Sequence, residues 1–258
     1  MAQDTIDRTG TPLVEMRDMQ KAFGGIRAVD HVTVNLFSGE VVGILGHNGA
    51  GKSVLMKMLS GALVRDGGEI YVNGQRAEIN NPRDARKYQI ETIYQYLALA
   101  DNLDSAANLF LGREIVTTTG MLNDAKMEAE TRQIMGRLTP NFRRYKTPVA
   151  GLSGGQRQSV AISRAVYFNA KILIMDEPTA ALGVQETKMV ADLIDELKKR
   201  GIGIFLIDHD IHQVKTLCDR ASVMKNGQLV GTVDVHRASE DDLLGMIIAG
   251  KMPEHLAA

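Results

Sequence analysis

The sequence predicts an α/β fold with a parallel core sheet, an antiparallel β part toward the N-terminus and an inserted helical subdomain. Three observations carry this. A glycine-rich octet, Gly46 to Ser53, lies between an apolar run, Val41 to Leu45, and a helix-like run, Val54 to Leu59. Two more apolar runs, Lys171 to Met175 and Gly203 to Ile207, alternate with helix-like stretches. Continuous apolar strands separated by helices bury both faces of a sheet, which is the parallel arrangement. Between them, residues 96–158 show helical spacing instead of strand alternation.

Taken in order, residues 1–11 are polar and read as a tail. Leu13 to Met16 and Val32 to Leu36 read as strands around a turn at Gly24-Gly25. Phe23 stands in that turn. Its ring is either a core residue or a platform for a nucleobase, a contact worth about 1–3 kcal/mol. Asp66 to Glu69 reads as a turn, Ile70 to Val72 as a strand and Asn73-Gly74 as a hairpin turn. Pro82 to Tyr88 is a short helix, and Glu91 to Tyr94 a short strand ending at Gln95. In the inserted block, helices are expected over 101–112 and 123–138, with Thr117 to Gly120 as a loop. Pro140 to Pro148, with Arg143, Arg144 and Lys146, reads as a solvated basic connector. Helices then follow at Arg157 to Tyr167 and Gln185 to Arg200. Asn226-Gly227 turns a hairpin of Ala221 to Lys225 and Gln228 to Thr232, and a last helix covers Ser239 to Ile248. The expected organisation is a core of 12–95 and 159–250, a helical subdomain of 96–158, and a tail of 251–258.

Charged residues are 24% and apolar residues 44% of 258, with a formal net charge of −1. No bulk basic field draws the chain to nucleic acid or anionic lipid. Cys218 is the one cysteine, so no intrachain disulfide forms, which fits a reducing compartment. The acidic start carries no apolar signal segment. No apolar stretch approaches the ~18 residues that span a bilayer, so work at a membrane requires another subunit.

The octet Gly46-His47-Asn48-Gly49-Ala50-Gly51-Lys52-Ser53 fits G-x-x-x-x-G-K-[ST] in its strand–loop–helix setting. This is a phosphate-binding loop, and the fold is that of a P-loop NTPase. Glycines turn backbone N–H groups toward phosphate oxygens without Cβ clashes, and the helix start adds positive partial charge. Gly46, His47, Asn48, Gly49, Ala50, Gly51, Lys52, Ser53 and Val54 are the candidate nucleotide contacts. Lys52 supplies a point charge for the β- and γ-phosphates and Ser53 a hydroxyl for Mg²⁺. Asp176 ends an apolar strand, where a carboxylate holds Mg²⁺ through water. Glu177, next to it, is placed to act on a water attacking the γ-phosphate. Leu152-Ser153-Gly154-Gly155-Gln156 is a second glycine-rich turn before a helix, hence a second anion-recognising element.

Two phosphate-recognising turns with one P-loop, in this order, resemble the ATP-binding-cassette ATPases, whose signature is that pentapeptide. The resemblance covers about residues 12–250. It runs through Phe23, Gly46 to Ser53, Gln95, Ser153 to Gln156, Asp176-Glu177, Ala181-Leu182-Gly183 and His209. It implies ATP and Mg²⁺ as ligands and a head-to-tail homodimer in which Ser153, Gly154, Gly155 and Gln156 of one chain cover the other's ATP. It also implies Gln95 as a contact of Mg²⁺ and the attacking water, and His209 as a γ-phosphate contact. Two membrane-spanning permease subunits would dock near Gln95 to Arg113, with Tyr96, Leu97 and Leu99 as contacts, at the cytoplasmic face of a bacterial inner membrane. A periplasmic sugar-binding protein would act through them. Asn108 to Glu114 and Asp176 to Gly183 are similar to monosaccharide importers of the ribose, xylose and fructose class, the single-cassette fructose and xylose types closest. Asp208 stands where Ser is usual in the family, and Gly183 where Asp is common.

Overall fold

A computed structural model describes residues 10–180 and 182–256. The polar N-terminal run falls almost wholly outside the described residues, as do Ala181 and the last two positions. Two compact units are present. The first takes in residues up to 92, 171–177 and 197 onward; the second takes in 93–170 and 178–196.

The first unit holds two sheets. Strands β1 (Val14–Phe23) and β2 (Ile26–Leu36) form an antiparallel hairpin across Gly24-Gly25, both with left-handed backbones that glycine adopts without Cβ strain. After β3 (Val41–Leu45), strand β4 (Gly67–Val72) pairs with the other edge of β1, and β5 (Gln75–Arg76) completes the order β2-β1-β4-β5. Asn73 and Gly74, with φ of 51° and 76°, make the expected hairpin turn. The turn expected over Asp66 to Glu69 is instead mostly strand, since β4 begins at Gly67. Its glycines mark a bulge. The β1–β4 register slips between Arg17 and Gln20, and a Cβ on Gly68 would stand 2.5 Å from the Asp18 carbonyl oxygen.

The second sheet adds β6 (Ile90–Ile93), β7 (Ile172–Asp176), β8 (Gly203–Ile207), β9 (Arg220–Lys225) and β10 (Gln228–Asp234), in the order β10-β9-β3-β8-β7-β6. The pairs β3–β8, β7–β8 and β3–β9 are parallel, and β10 closes one edge antiparallel. Every residue of β3 and β8 is buried, which is why both read as unbroken apolar runs. Helix α1 (Lys52–Leu59) lays Leu55, Met56, Met58 and Leu59 into one cluster with Met16 and Leu36 of one sheet and Ile44, Ile174 and Phe205 of the other. Helix α2 (Pro82–Lys87) starts on an Asn81 cap that accepts from the Arg83 and Asp84 amides.

The second unit is mainly helical: α3 (Ser105–Phe110), α4 (Asp124–Leu138), α5 (Gly154–Tyr167) and most of α6 (Val184–Lys199). Helix α3 is shorter than the expected 101–112, because the Asp104 carboxylate caps it by accepting from the Ala107 amide. Asn108 ties down the preceding loop by bonding both the N–H and the carbonyl of Ala100. Leu109, Phe110 and Met127 form one core cluster, with Tyr167 edge-on to Phe110 at a centroid distance of 4.8 Å. Residues 140–148 are not simply a solvated connector. Phe142 and Tyr145 are buried with Met135, Val149, Leu152 and Val160. Their rings meet edge to face, 5.1 Å apart. The basic side chains of this run point outward from two inward aromatics three positions apart.

Candidate active site

In the first unit, parallel pairing sets the chemistry. Because β3 and β7 flank β8, the residues that follow all three strands leave the sheet at its carboxyl edge, where open α/β sheets bind ligands. The loop after β3 depends on glycine at two close approaches. A Cβ on Gly46 (φ 151°) would stand 2.3 Å from the Met224 carbonyl oxygen, and one on Gly51 (φ 101°) 2.3 Å from that of Ala28. His47, Asn48 and Gly49 are exposed, Ser53 and Val54 are half-buried, and Ala50 is buried. The His47 ring N–H donates to the Asn48 carbonyl at 2.7 Å. The Lys52 ammonium donates to the carbonyls of Gly46 (2.7 Å) and His47 (3.2 Å), bracing the loop across its own mouth.

Burial pushes the Lys52 ammonium below its ordinary range, against the opposing pull of Glu177, Asp176 and Asp208. Burial raises Asp176 above the usual carboxylate range. The neighbouring Glu177 and Asp208 charges add to this, and Lys57 and Lys52 oppose it. Asp208 is raised by burial too. Its Oδ1 accepts from the His209 and Asp210 amides at 2.8 and 3.0 Å. The Asp210 carboxylate caps the next helix, α7 (Ile211–Leu217). Glu177 has a left-handed backbone, φ 45°, and its N–H donates to the Ile207 carbonyl at 2.9 Å. Its Oε1 lies 2.8 Å from His209 Nδ1. Lys52, Asp176, Glu177, Asp208 and His209 therefore converge: one cation and a histidine among three carboxylates. Hard oxygen donors beside a buried ammonium suit a divalent cation carried in on phosphate oxygens.

Phe23 ends β1 and is 48% exposed, with Lys21 Nζ 5.6 Å from its ring centre. Its position does not match the core reading. Cys218 is buried, and its thiol is pushed well above its ordinary range by that burial.

In the second unit, Ser153 is the N-cap of α5. Its hydroxyl oxygen accepts from the Gln156 amide, while the Gln156 side chain accepts from the Ser153 N–H at 3.1 Å, a reciprocal capping box. Gly154 and Gly155 open the helix under close packing, since a Cβ on either would meet Leu182 or Met189 at 2.5 Å. Gln95 and Tyr96 are exposed, Tyr96 at 87%, while Leu99 packs partly against the Phe142 cluster. Sequence reasoning missed Glu186, in the first turn of α6, whose carboxylate accepts from the Gly183 amide at 3.2 Å.

The family profile described as ABC transporter matches residues 29–180. The chain belongs to the ABC transporter family. It is 45% identical over 218 residues to the xylose/arabinose import ATP-binding protein XylG of Sulfolobus acidocaldarius, covering 84% of this chain and 86% of that protein. It is 38% identical over 244 residues to the ribose import ATP-binding protein RbsA of Caldanaerobacter subterraneus subsp. tengcongensis. That match covers 95% of this chain but 49% of the relative, so the chain spans about half the length of the ribose proteins. Among solved structures it resembles the ADP-bound cassette MJ1267 of an ABC transporter, with 26% identity and a TM-score of 0.76, covering 92% of this chain and 94% of that one. The predicted family and fold therefore hold. Among the described residues, no helix is long and apolar enough to cross a membrane.

Proposed function

We propose that this chain is the ATP-hydrolysing subunit of an importer for a monosaccharide of the xylose, ribose or fructose type, working as a homodimer on two membrane-spanning permease subunits. The observation that carries it is the convergence of Lys52, Asp176, Glu177 and His209 at one sheet edge. The import ATP-binding names of the relatives support the transport role.

In this reading the loop from Gly46 to Val54 wraps the phosphates, and Lys52 turns from its loop carbonyls to the β- and γ-oxygens. Phe23 stacks on the base. Ser53 and Asp176 would hold Mg²⁺, which supplies charge neutralisation between the phosphates; the resemblance adds Gln95 as a further oxygen donor. Glu177 takes the proton of the attacking water, and His209 moves from Glu177 to the γ-phosphate. Ser153, Gly154, Gly155 and Gln156 cover the partner's ATP. Rate enhancement then comes from positioning and charge stabilisation about the transferred phosphoryl group.

The test is Glu177→Gln. ATP binding is expected to persist while turnover falls by about 10²–10⁴-fold, the usual worth of a positioned general base. Light scattering of the same variant is expected to show monomers converting to dimers with MgATP. Normal turnover would remove Glu177 from the mechanism. Copurification with permease subunits, and ATPase stimulation by them, tests the transport role.

A further inference from the structure

The segment leading into the signature turn is tied on both sides, and all the residues involved belong to the second unit. Val149–Gly151 form a short 3₁₀ turn just before Leu152. The amides of Val149 and Ala150 donate to the carbonyls of Leu103 (2.9 Å) and Asp101 (3.0 Å). Their own carbonyls accept from a single guanidinium, that of Arg157: Nε reaches Val149 at 3.0 Å and Nη2 reaches Ala150 at 3.2 Å. The next carbonyl, of Gly151, accepts from Arg144 Nη1 at 2.9 Å. Arg157 stands one helical turn past Ser153, and its amide donates to the Ser153 carbonyl. It therefore closes residues 149–157 into a loop that contains Ser153 to Gln156. The other end of the tie is fixed too. Asn108, with no exposed surface, donates to the carbonyls of Ala100, Leu103 and Asp104. Leu99 packs against the cluster that holds Val149 and Leu152. Bonding two successive carbonyls with one rigid planar cation suits arginine and not the point charge of lysine.

Resting on the proposed trans role of Ser153 to Gln156 and the proposed permease contacts at Tyr96 to Leu99, we infer that Arg157 is the positioning residue that joins the two. It fixes the place of the signature turn against residues 101–103. A displacement of the segment after Gln95 then reaches Ser153 through two backbone bonds and one guanidinium. Without that fork the turn keeps its own capping box but loses its set place relative to 101–103. The Asp101 carboxylate, 3.6 Å from Arg157 Nη1 and well exposed, adds little to the tie. The P-loop has no part in it, so loss of the fork weakens ATP-driven pairing from the signature side alone.

Two measurements separate this inference from the reading it rests on. In the first, amide hydrogen exchange of ¹⁵N-labelled wild type is compared with that of Arg157→Lys, which keeps the charge and loses the fork. The Val149 and Ala150 amides are expected to exchange about tenfold faster in the variant, the worth of one hydrogen bond to a charged group, while those of α4 are unchanged. Equal exchange at Val149 and Ala150, or a rise of the same size across α4, overturns the inference. Asp101→Asn is expected to change these rates by less than about twofold, as an exposed pair should; an effect as large as that of Arg157→Lys would place the tie in the ion pair and overturn the role of the fork. In the second, Glu177→Gln and Glu177→Gln/Arg157→Lys are compared for dimer formation by light scattering across MgATP. The double variant is expected to need about three- to tenfold more ATP for half-dimerisation, with an unchanged affinity for MgADP, which reads the P-loop alone. An unchanged midpoint overturns the positioning role. If neither pairs while exchange separates the proteins, the trans role of the signature fails and Arg157's hold on residues 149–151 stands. Arg157→Gln repeats both measurements with the charge removed.

Discussion

Asp208 concentrates the electrostatic conflict of the site in one side chain. It is 4% exposed, it lies near Glu177 and Asp176, and burial raises its carboxyl above the usual range. An acid whose folded value is raised binds its proton more readily folded than unfolded. Its contribution is then free of penalty below the ordinary carboxylate range and turns unfavourable as pH rises through the raised value. Asp208→Asn keeps an oxygen for the His209 and Asp210 amides and removes the charge. This variant is expected to unfold at higher urea than wild type at pH 7, with the difference shrinking as pH is lowered through the carboxylate range. A constant difference across that range would mean the charge is not the source. The sequence already marked Asp208 as unusual, but not its bonds. An Asp after an apolar run looks the same whether it faces water or accepts two backbone amides.

Among the elements, β9 is tied into the first unit by a charged clamp. Arg220 opens β9 and meets Glu40, just before β3, through Nε–Oε1 at 2.6 Å and Nη2–Oε2 at 2.9 Å. Nη2 also donates to the carbonyl and side chain of Asn35, near the end of β2. Glu40 has no exposed surface. Glu40→Ala strands a guanidinium in the interior and is expected to cost about 3–5 kcal/mol by chemical denaturation; a loss under 1 kcal/mol would mean water reaches Arg220. Elements of this kind divide by how local their causes are. The P-loop was legible because its strand, glycines and helix are consecutive. So were β7 and β8, whose burial leaves continuous apolar runs. The 140–148 segment was misjudged because its charges outnumber two aromatics whose burial depends on α4 and α5. Arg220 carries no local pattern, since it finds its partners across a long stretch of chain.

At the scale of the whole molecule, each unit has its own core: one built from two sheets and α1, the other from α3, α4, α5 and the aromatics around them. The nucleotide chemistry proposed for the first unit is mounted on buried strands, but its reacting carboxylate is held at odds with its own backbone. Glu177 keeps φ at 45°, a region that costs a residue with a Cβ about 1–2 kcal/mol. It also adds a charge beside the already raised Asp176. Glycine at this position relieves both. Glu177→Gly is expected to melt several degrees above wild type by calorimetry while hydrolysing almost nothing; a lower melting temperature would mean the left-handed turn is not strained. If it melts higher, selection for hardiness alone would discard this glutamate. Its presence would then be the cost in durability of the hydrolysis proposed for it.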